Sequence, residues 1–263
     1  MQSAVTPNAV TAARGEFRVL GVRVHAVQIP EVIAQMEAWI AHRAAGRYIA
    51  VTGMHGVSES LDDPKLRDIL NAADLVVPDG MSLVWVGRLR GCNLQRRVYG
   101  PELMETFCAS TGPRYRHFFY GGGPGVAERI ANAESDRNGI QIAGTYTPPF
   151  RPLTAEEEME VAALVEASRA DVLWVGLSTP KQERWMYAHR DSLKVPVMAG
   201  VGAAFDLNSG TLVQAPRFMR ENGLEWLFRL LAEPKRLWRR YLIKGSRFVW
   251  NVLLETFKIR RFD

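Results

Sequence analysis

The stretch DVLWVGLSTPKQERWM, residues 171–186, holds a short apolar run, a turn and the opening of a helix in sixteen residues. Val172 to Val175 is continuously apolar, as expected of a strand buried on both faces. Pro180 suits the first helical position, Ser178 or Thr179 can cap, and Glu183 can complete a capping interaction. The same grammar repeats on both sides. VPVMAGVGAAFD follows it. Before it stand HFFYGGG with a helix from about Pro124, LVVPDG with one near Met81, and YIAVTG with one near His55. The first run, FRVLGVRVHAV, leads into a helix near Pro30 to Ala45. Strands alternating with helices predict an α/β fold, a mostly parallel sheet with helices on both faces, over residues 17–215.

After Phe205 the pattern changes, and residues 216–263 read as a helical appendage. Leu224, Leu227, Phe228 and Leu231 recur at helical spacing, and Pro234 interrupts them. Trp238, Tyr241, Leu242, Phe248, Val249, Val252, Leu253 and Phe257 then fall on one helical face, with Arg236, Arg240, Lys244 and Arg247 opposite. An amphipathic helix with aromatic residues and a cationic back fits a membrane surface, and equally a helix packed on a core. Charge favours the first. Residues 217–263 carry 12 Lys+Arg and 5 Asp+Glu, whereas the rest of the chain carries 21 and 23. Basicity confined to the tail points to a local anionic partner, lipid or phosphate, and gives no reason to expect nucleic acid.

The remaining composition narrows the classes. Hydrophobic residues make up 47% of 263, enough for a well-buried core. Two cysteines, Cys92 and Cys108, build no disulfide framework, so a reducing cytoplasmic setting is expected. Residues 1–16 read as a disordered leader without a signal peptide's basic start and apolar middle, and no run is long enough to span a bilayer.

In open α/β sheets ligands bind at the carboxyl ends of strands. Asp79, in Pro-Asp-Gly, stands at such an end, where a carboxylate can take a proton from a hydroxyl; Asp-Gly is also a common turn pair. Gly121 and Gly122, with Gly123 and Gly125, open a helix whose amides could receive a diphosphate, or simply make a tight turn. Lys181 and Gln182 offer a cation and an amide donor for phosphate or sugar oxygens. Arg217, Arg229, Arg236 and Arg239 suit phosphate, although most surface arginines are merely solvated. His55 alone of five histidines lies at a plausible strand end. No metal site is expected: there is no His/Cys cluster with ligand spacing and no Asp-x-Asp. Serine-nucleophile and Walker-type motifs are also absent, and no cofactor is expected.

Taken together, VTGMHGV (51–57), ADLVVPDGMSLVW (73–85), RVYGPELM (97–104), FYGGGPGVAERIA (119–131), GLSTPKQERWM (176–186), VGAAFDLNSG (201–210) and APRFMRENGLEWLFRLLAEPKRLWRRY (215–241) resemble the WecG/TagA/CpsF family of glycosyltransferases. Their order covers almost the whole chain beyond residue 17. The resemblance implies a Rossmann-like core with a C-terminal appendage that contacts the membrane. It also implies inverting, metal-independent transfer from a UDP-sugar to an undecaprenyl-diphosphate-linked sugar in surface polysaccharide or cell-wall polymer synthesis. By position, Asp79 matches the proposed base and Gln182 an active-site amide. Thr52 lies in the substrate-pocket loop, and Arg229, Arg236 and Arg239 match basic residues that close over the diphosphate. Many members carry Asn where this chain has Gly53, so Met54 and His55 are expected to contact the sugar differently and the donor is left as a hexose or N-acetylhexosamine.

The expected setting is the inner face of the cell membrane, peripherally bound, with a homo-oligomer possible. Two other classes stay open at this point. A Rossmann-type oxidoreductase would need a nicotinamide fingerprint that GGGPG does not supply. A non-catalytic, nucleotide-binding membrane adapter would explain the tail but not the residues gathered at strand ends.

Overall fold

A computed structural model describes residues 15–262; the expected leader lies outside them apart from Gly15 and Glu16. The core is a six-stranded, wholly parallel sheet. Its strands are β3 (Arg47–Thr52), β4 (Leu75–Pro78), β5 (Arg116–Gly121), β6 (Gln141–Tyr146), β7 (Val172–Gly176) and β8 (Val197–Gly200), in the order β4-β3-β8-β7-β5-β6. Side chains alternate between the two faces, as the pleat requires. Leu173 and Val175 of β7 join one core cluster while Val172 and Trp174 join the other.

Each cluster is covered by its own helices. Helices α1 (Ile29–Ala41), α5 (Gly100–Thr111), α6 (Val126–Asn138) and α9 (Ala204–Asn208) cover one face. On the other lie α2 (Met54–Asp62), α3 (Pro64–Asn71), α4 (Met81–Leu89), α7 (Ala155–Ser168) and α8 (Lys181–His189). The expected three-layer α/β architecture is therefore present.

The first apolar run departs from expectation. It is not a strand of the parallel sheet but an antiparallel hairpin, β1 (Glu16–Val19) and β2 (Val22–His25), turning through Leu20 and Gly21, both at positive φ. The hairpin blunts the β4 edge through a side chain: His25 Nδ1 accepts the Val76 N–H at 2.9 Å. Burial, with Arg23 nearby, pushes the His25 pKa down, which keeps that nitrogen free to accept.

The C-terminal part runs through α10 (Arg217–Glu221), α11 (Glu225–Ala232), α12 (Pro234–Trp238), a π-helical segment Arg239–Lys244, and α13 (Gly245–Thr256). It is knitted into the core: Phe248 and Val252 belong to the same cluster as α2 and the hairpin, and Glu255 accepts the Leu20 N–H and pairs with Arg90 at 2.5 Å. The single apolar stripe read from the sequence is split. Phe248 and Val252 pack inward while Val249 and Leu253, one position further round the same α-helix, are exposed, so only one edge of the stripe meets the core. On the cationic back Arg236 and Arg247 are exposed, Arg247 pairing with Asp62 at 2.6 Å, while the partly buried Lys244 pairs with Glu59. Leu242, Ile243, Val249, Trp250, Leu253 and Phe257 are left exposed. No helix among the described residues is long and apolar enough to cross a membrane.

Candidate active site

The carboxyl ends of β3, β4, β7 and β8 open into a cavity of about 1230 Å³, roofed by α11, α12 and the π segment. Asp79 follows β4. Its N–H donates to the Thr52 carbonyl at 2.9 Å, and its Oδ1 accepts the Gly100 N–H at 3.2 Å. Burial pushes its carboxyl above the usual range, opposed chiefly by Arg97. Arg97 lies between Asp79 and the tail: it donates weakly to the Asp79 carbonyl at 3.4 Å, stacks over Tyr99, and pairs with Glu225 at 2.5 Å. That pair joins tail and core at the edge of the site.

Facing Asp79 is a wall of cations. Arg229, Arg236, Arg239, Arg240 and Lys244 all line the cavity. Arg236 pairs with Glu233, whereas Arg229, Arg239 and Arg240 have no carboxylate within ion-pair distance among the described residues. Arg240 is partly buried with an unpartnered Nε, and burial pushes its pKa down. The sequence places it on one cationic face with Arg236 and Lys244, and all three line the cavity. Gathered cations without counter-charges make an anion site, and arginine forks match diphosphate oxygens.

His55, at the start of α2, also lines the cavity. Burial, with Arg240 adding to it, lowers its pKa to about 4, so the ring is neutral near pH 7. Thr52 is fully buried beneath, its hydroxyl Oγ1 without a partner among the described residues; a Cβ at Gly56 would sit 2.1 Å from that oxygen. Gln182, in the first turn of α8, reaches the floor. Its NH₂ donates to the Gly200 carbonyl at 3.0 Å and to Glu183 Oε1 at 3.2 Å. Both protons are engaged, so neither is left for the phosphate or sugar oxygens to which this amide was expected to donate.

The α8 cap also differs: Pro180 is the N-cap, no side chain caps the helix, and Thr179 instead donates to Glu183 at 2.8 Å.

The structure brings Asp79, His55, Gln182, Arg229, Arg236 and Arg239 to one cavity, with Thr52 beneath it. Other candidates lie elsewhere. Lys181 is exposed and outside the cavity wall. Arg217 is exposed, pairs with Glu221, and borders a neighbouring polar cavity of about 870 Å³. Gly121 and Gly122 are outside the lining, and local packing accounts for both. A Cβ on Gly121 would meet the Gly176 carbonyl oxygen at 2.5 Å, and one on Gly122 would meet Val126 at 2.8 Å. Among the described residues no group of three or more His, Cys, Asp or Glu is placed to hold a metal. Sequence reasoning missed Arg97, Glu225 and Arg240. The RVYG run before the Pro of α5 held the only signal for Arg97, and its partner is 128 residues away.

Comparison with known proteins shows the family to which the chain belongs. The family model described as "Glycosyl transferase WecG/TagA/CpsF family" matches residues 17–262. An N-acetylglucosaminyldiphosphoundecaprenol N-acetyl-beta-D-mannosaminyltransferase of Bacillus spizizenii is 32% identical over 217 residues, 82% of each chain. A protein of the same name from Bacillus subtilis is 27% identical over 212 residues, 80% of each. With a match spanning core and tail alike, the chain belongs to the WecG/TagA/CpsF family and is a glycosyltransferase.

Proposed function

We propose that this protein transfers a hexosyl or N-acetylhexosaminyl group from a UDP-sugar to a sugar carried on undecaprenyl diphosphate, inverting the anomeric centre without a metal ion. The observation that carries the reading is one cavity in which a buried carboxylate, Asp79, faces arginines that lack counter-charges. The acceptor hydroxyl gives its proton to Asp79 as its oxygen bonds to the anomeric carbon. The bond from that carbon to the diphosphate oxygen breaks, and UDP leaves. Arg229, Arg239 and Arg240, with Arg236, take up the charge that grows on the leaving diphosphate, in the place a divalent ion would otherwise occupy. His55 and Thr52 serve the sugar end of the pocket.

A lipid-linked acceptor is supported by the rim. Trp85, Leu89, Trp226, Leu242, Val249 and Leu253 line the same cavity and are exposed, an apolar border suited to a polyprenyl chain or a bilayer surface. The names of the two Bacillus relatives specify an N-acetylmannosaminyl group and an N-acetylglucosaminyl-diphosphoundecaprenol acceptor. Here Gly53 and the first helical residues Met54 and His55 stand at that edge of the pocket, so the donor sugar is left at the level of its class. Peripheral attachment at the cytoplasmic face of the membrane follows from such an acceptor.

The test is a panel of UDP-sugars offered with lipid-linked acceptors in excess EDTA, with the anomeric configuration of the product read by NMR. Transfer with inversion is expected. Activity that vanishes in EDTA and returns with Mg²⁺ or Mn²⁺ would refute metal independence, and retained configuration would refute single displacement.

A further inference from the structure

Gln182 and Glu183 are almost completely buried side by side, and their bonds define which atom of the amide is left for a substrate. We infer that Glu183 is a positioning residue that holds the Gln182 carboxamide with its oxygen toward the substrate, so that the substrate group met there is a hydrogen-bond donor. A sugar hydroxyl or an acetamido N–H qualifies. A phosphate oxygen, which carries no proton to give near neutral pH, does not. The inference rests on the glycosyl-transfer reading for the identity of the substrate, though not for the clamp itself.

The orientation follows from what surrounds the amide. The Gly200 carbonyl, 3.0 Å from Nε2, can only accept, and Glu183 Oε1, 3.2 Å away, already accepts the Thr179 hydroxyl at 2.8 Å. Turning the amide over would set its oxygen against both acceptors and lose two bonds. Gly200 leaves room for this seat: a Cβ there would lie 3.1 Å from Nε2. The amide oxygen Oε1 is buried and has no donor among the described residues. It lies 3.5 Å from where a Cβ on Gly202 would stand, and Gly202, Thr179 and Gln182 all line the cavity. A buried acceptor without a donor is costly, and a ligand that brings the donor relieves that cost.

Glu183 is suited to a positioning task and not to charge. Its Oε2 has no partner among the described residues, and burial pushes its carboxyl pKa up. Oε1 accepts both bonds whether or not Oε2 carries a proton. A glutamine at 183 can therefore do the same work, whereas a methionine of similar shape cannot.

The experiment uses the full chain as wild type, Glu183→Gln and Glu183→Met, with two readouts. The first is solvent exchange of the Gln182 side-chain NH₂ protons by NMR, assigned by their loss in Gln182→Met. Exchange should be slow in wild type and Glu183→Gln, and about tenfold or more faster in Glu183→Met. The second is kcat/KM for the UDP-sugar the enzyme uses and for its monodeoxy analogues. Wild type and Glu183→Gln should reject one analogue by about tenfold or more, and Glu183→Met by less than about threefold. If Glu183→Met does not fold, Thr179→Val, which removes the hydroxyl holding Glu183 Oε1, takes its place with the same expected results. Unchanged amide exchange overturns the clamp. Wild-type transfer with no analogue rejected overturns the assignment of a donor on the substrate. Failure of wild type to transfer from any UDP-sugar instead sinks the proposed function and leaves the exchange result standing on its own.

Discussion

Burial raises the Asp79 carboxyl above the ordinary carboxylate range, and Arg97 opposes the rise. A general base works only when unprotonated, so kcat/KM should fall as pH drops through that raised value, with its acid limb above where a free aspartate would put it. Asp79→Asn should keep the fold and UDP binding but lower turnover by roughly 10²–10⁴-fold. Near-normal turnover at saturating donor would take Asp79 out of the mechanism. His117 is the second case in which one residue's protonation has a readable consequence. Its ring is wholly buried, and Nδ1 accepts the Trp174 indole N–H at 3.0 Å. Burial lowers its pKa from 6.5 to about 4. The unfolded chain binds a proton at the higher value and the folded chain only at the lower. Stability from the neutral ring is therefore present above pH 6.5 and is lost as pH falls toward about 4. Glutamine at 117 retains an acceptor without titrating. The fall in urea midpoint between about pH 7 and about pH 4.5 should be smaller for His117→Gln than for wild type. Equal falls would assign the acid sensitivity to other groups.

Among the elements, the π segment Arg239–Lys244 has the largest consequence for the site. It supplies Arg239, Arg240 and Lys244 to the cavity wall. Arg239→Ala and Arg240→Ala should each reduce kcat by about 10²–10³-fold, the range for losing one preorganised stabiliser of transition-state charge. Lys181→Ala, outside the cavity, should stay within about twofold. Steady-state kinetics with a soluble acceptor analogue decides, and equal losses for Lys181 and Arg240 would dissolve the wall. The β3, β4, β5, β7 and β8 strands were legible because strands buried on both faces leave continuous apolar runs. Asp79 and Gln182 were legible because they follow such runs. The hairpin was not, since its turn uses Leu20 at positive φ, a residue that gives no turn signal. Arg240 was read only as part of a cationic face, because periodicity groups residues on a face without saying what that face meets. Arg97 stayed unseen because its meaning comes from Glu225, which only the folded tail brings near.

At the scale of the whole molecule, the tail sets its cations against core acids and the cavity and leaves large apolar side chains exposed beside them. Tail cations Lys244 and Arg247 are paired with core acids, and Arg239 and Arg240 face the cavity. The outward surface carries apolar side chains beside the exposed Arg247: Ile243 is 51% and Trp250 63% exposed, on the helix face away from the buried pair Phe248 and Val252. An apolar patch beside a cavity for which a lipid-linked substrate is proposed has a use in shallow insertion at the headgroup boundary. Remaining basic residues of the tail, among them Lys235, Lys258 and Arg260, are free to add about 1 kcal/mol each near an anionic surface. Removing the tail would not isolate this role, because α13 supplies Phe248 and Val252 to the core and Glu255 to the hairpin. Point changes on the outer face do. Ile243→Asp and Trp250→Asp alter neither the buried side of the helix nor the cavity wall, so melting temperature should hold. Binding to vesicles containing anionic phospholipid should weaken by about tenfold or more, since each change places a charge where apolar surface would be buried. Transfer to a short, soluble acceptor should stay within about threefold, while transfer to vesicle-borne acceptor falls with binding. Added salt should loosen the wild type only in part, because screening reaches the charged contribution and leaves the apolar one. Vesicle binding unchanged in both variants would mean that this face meets another protein surface or water, and that the acceptor reaches the cavity without the enzyme entering the bilayer.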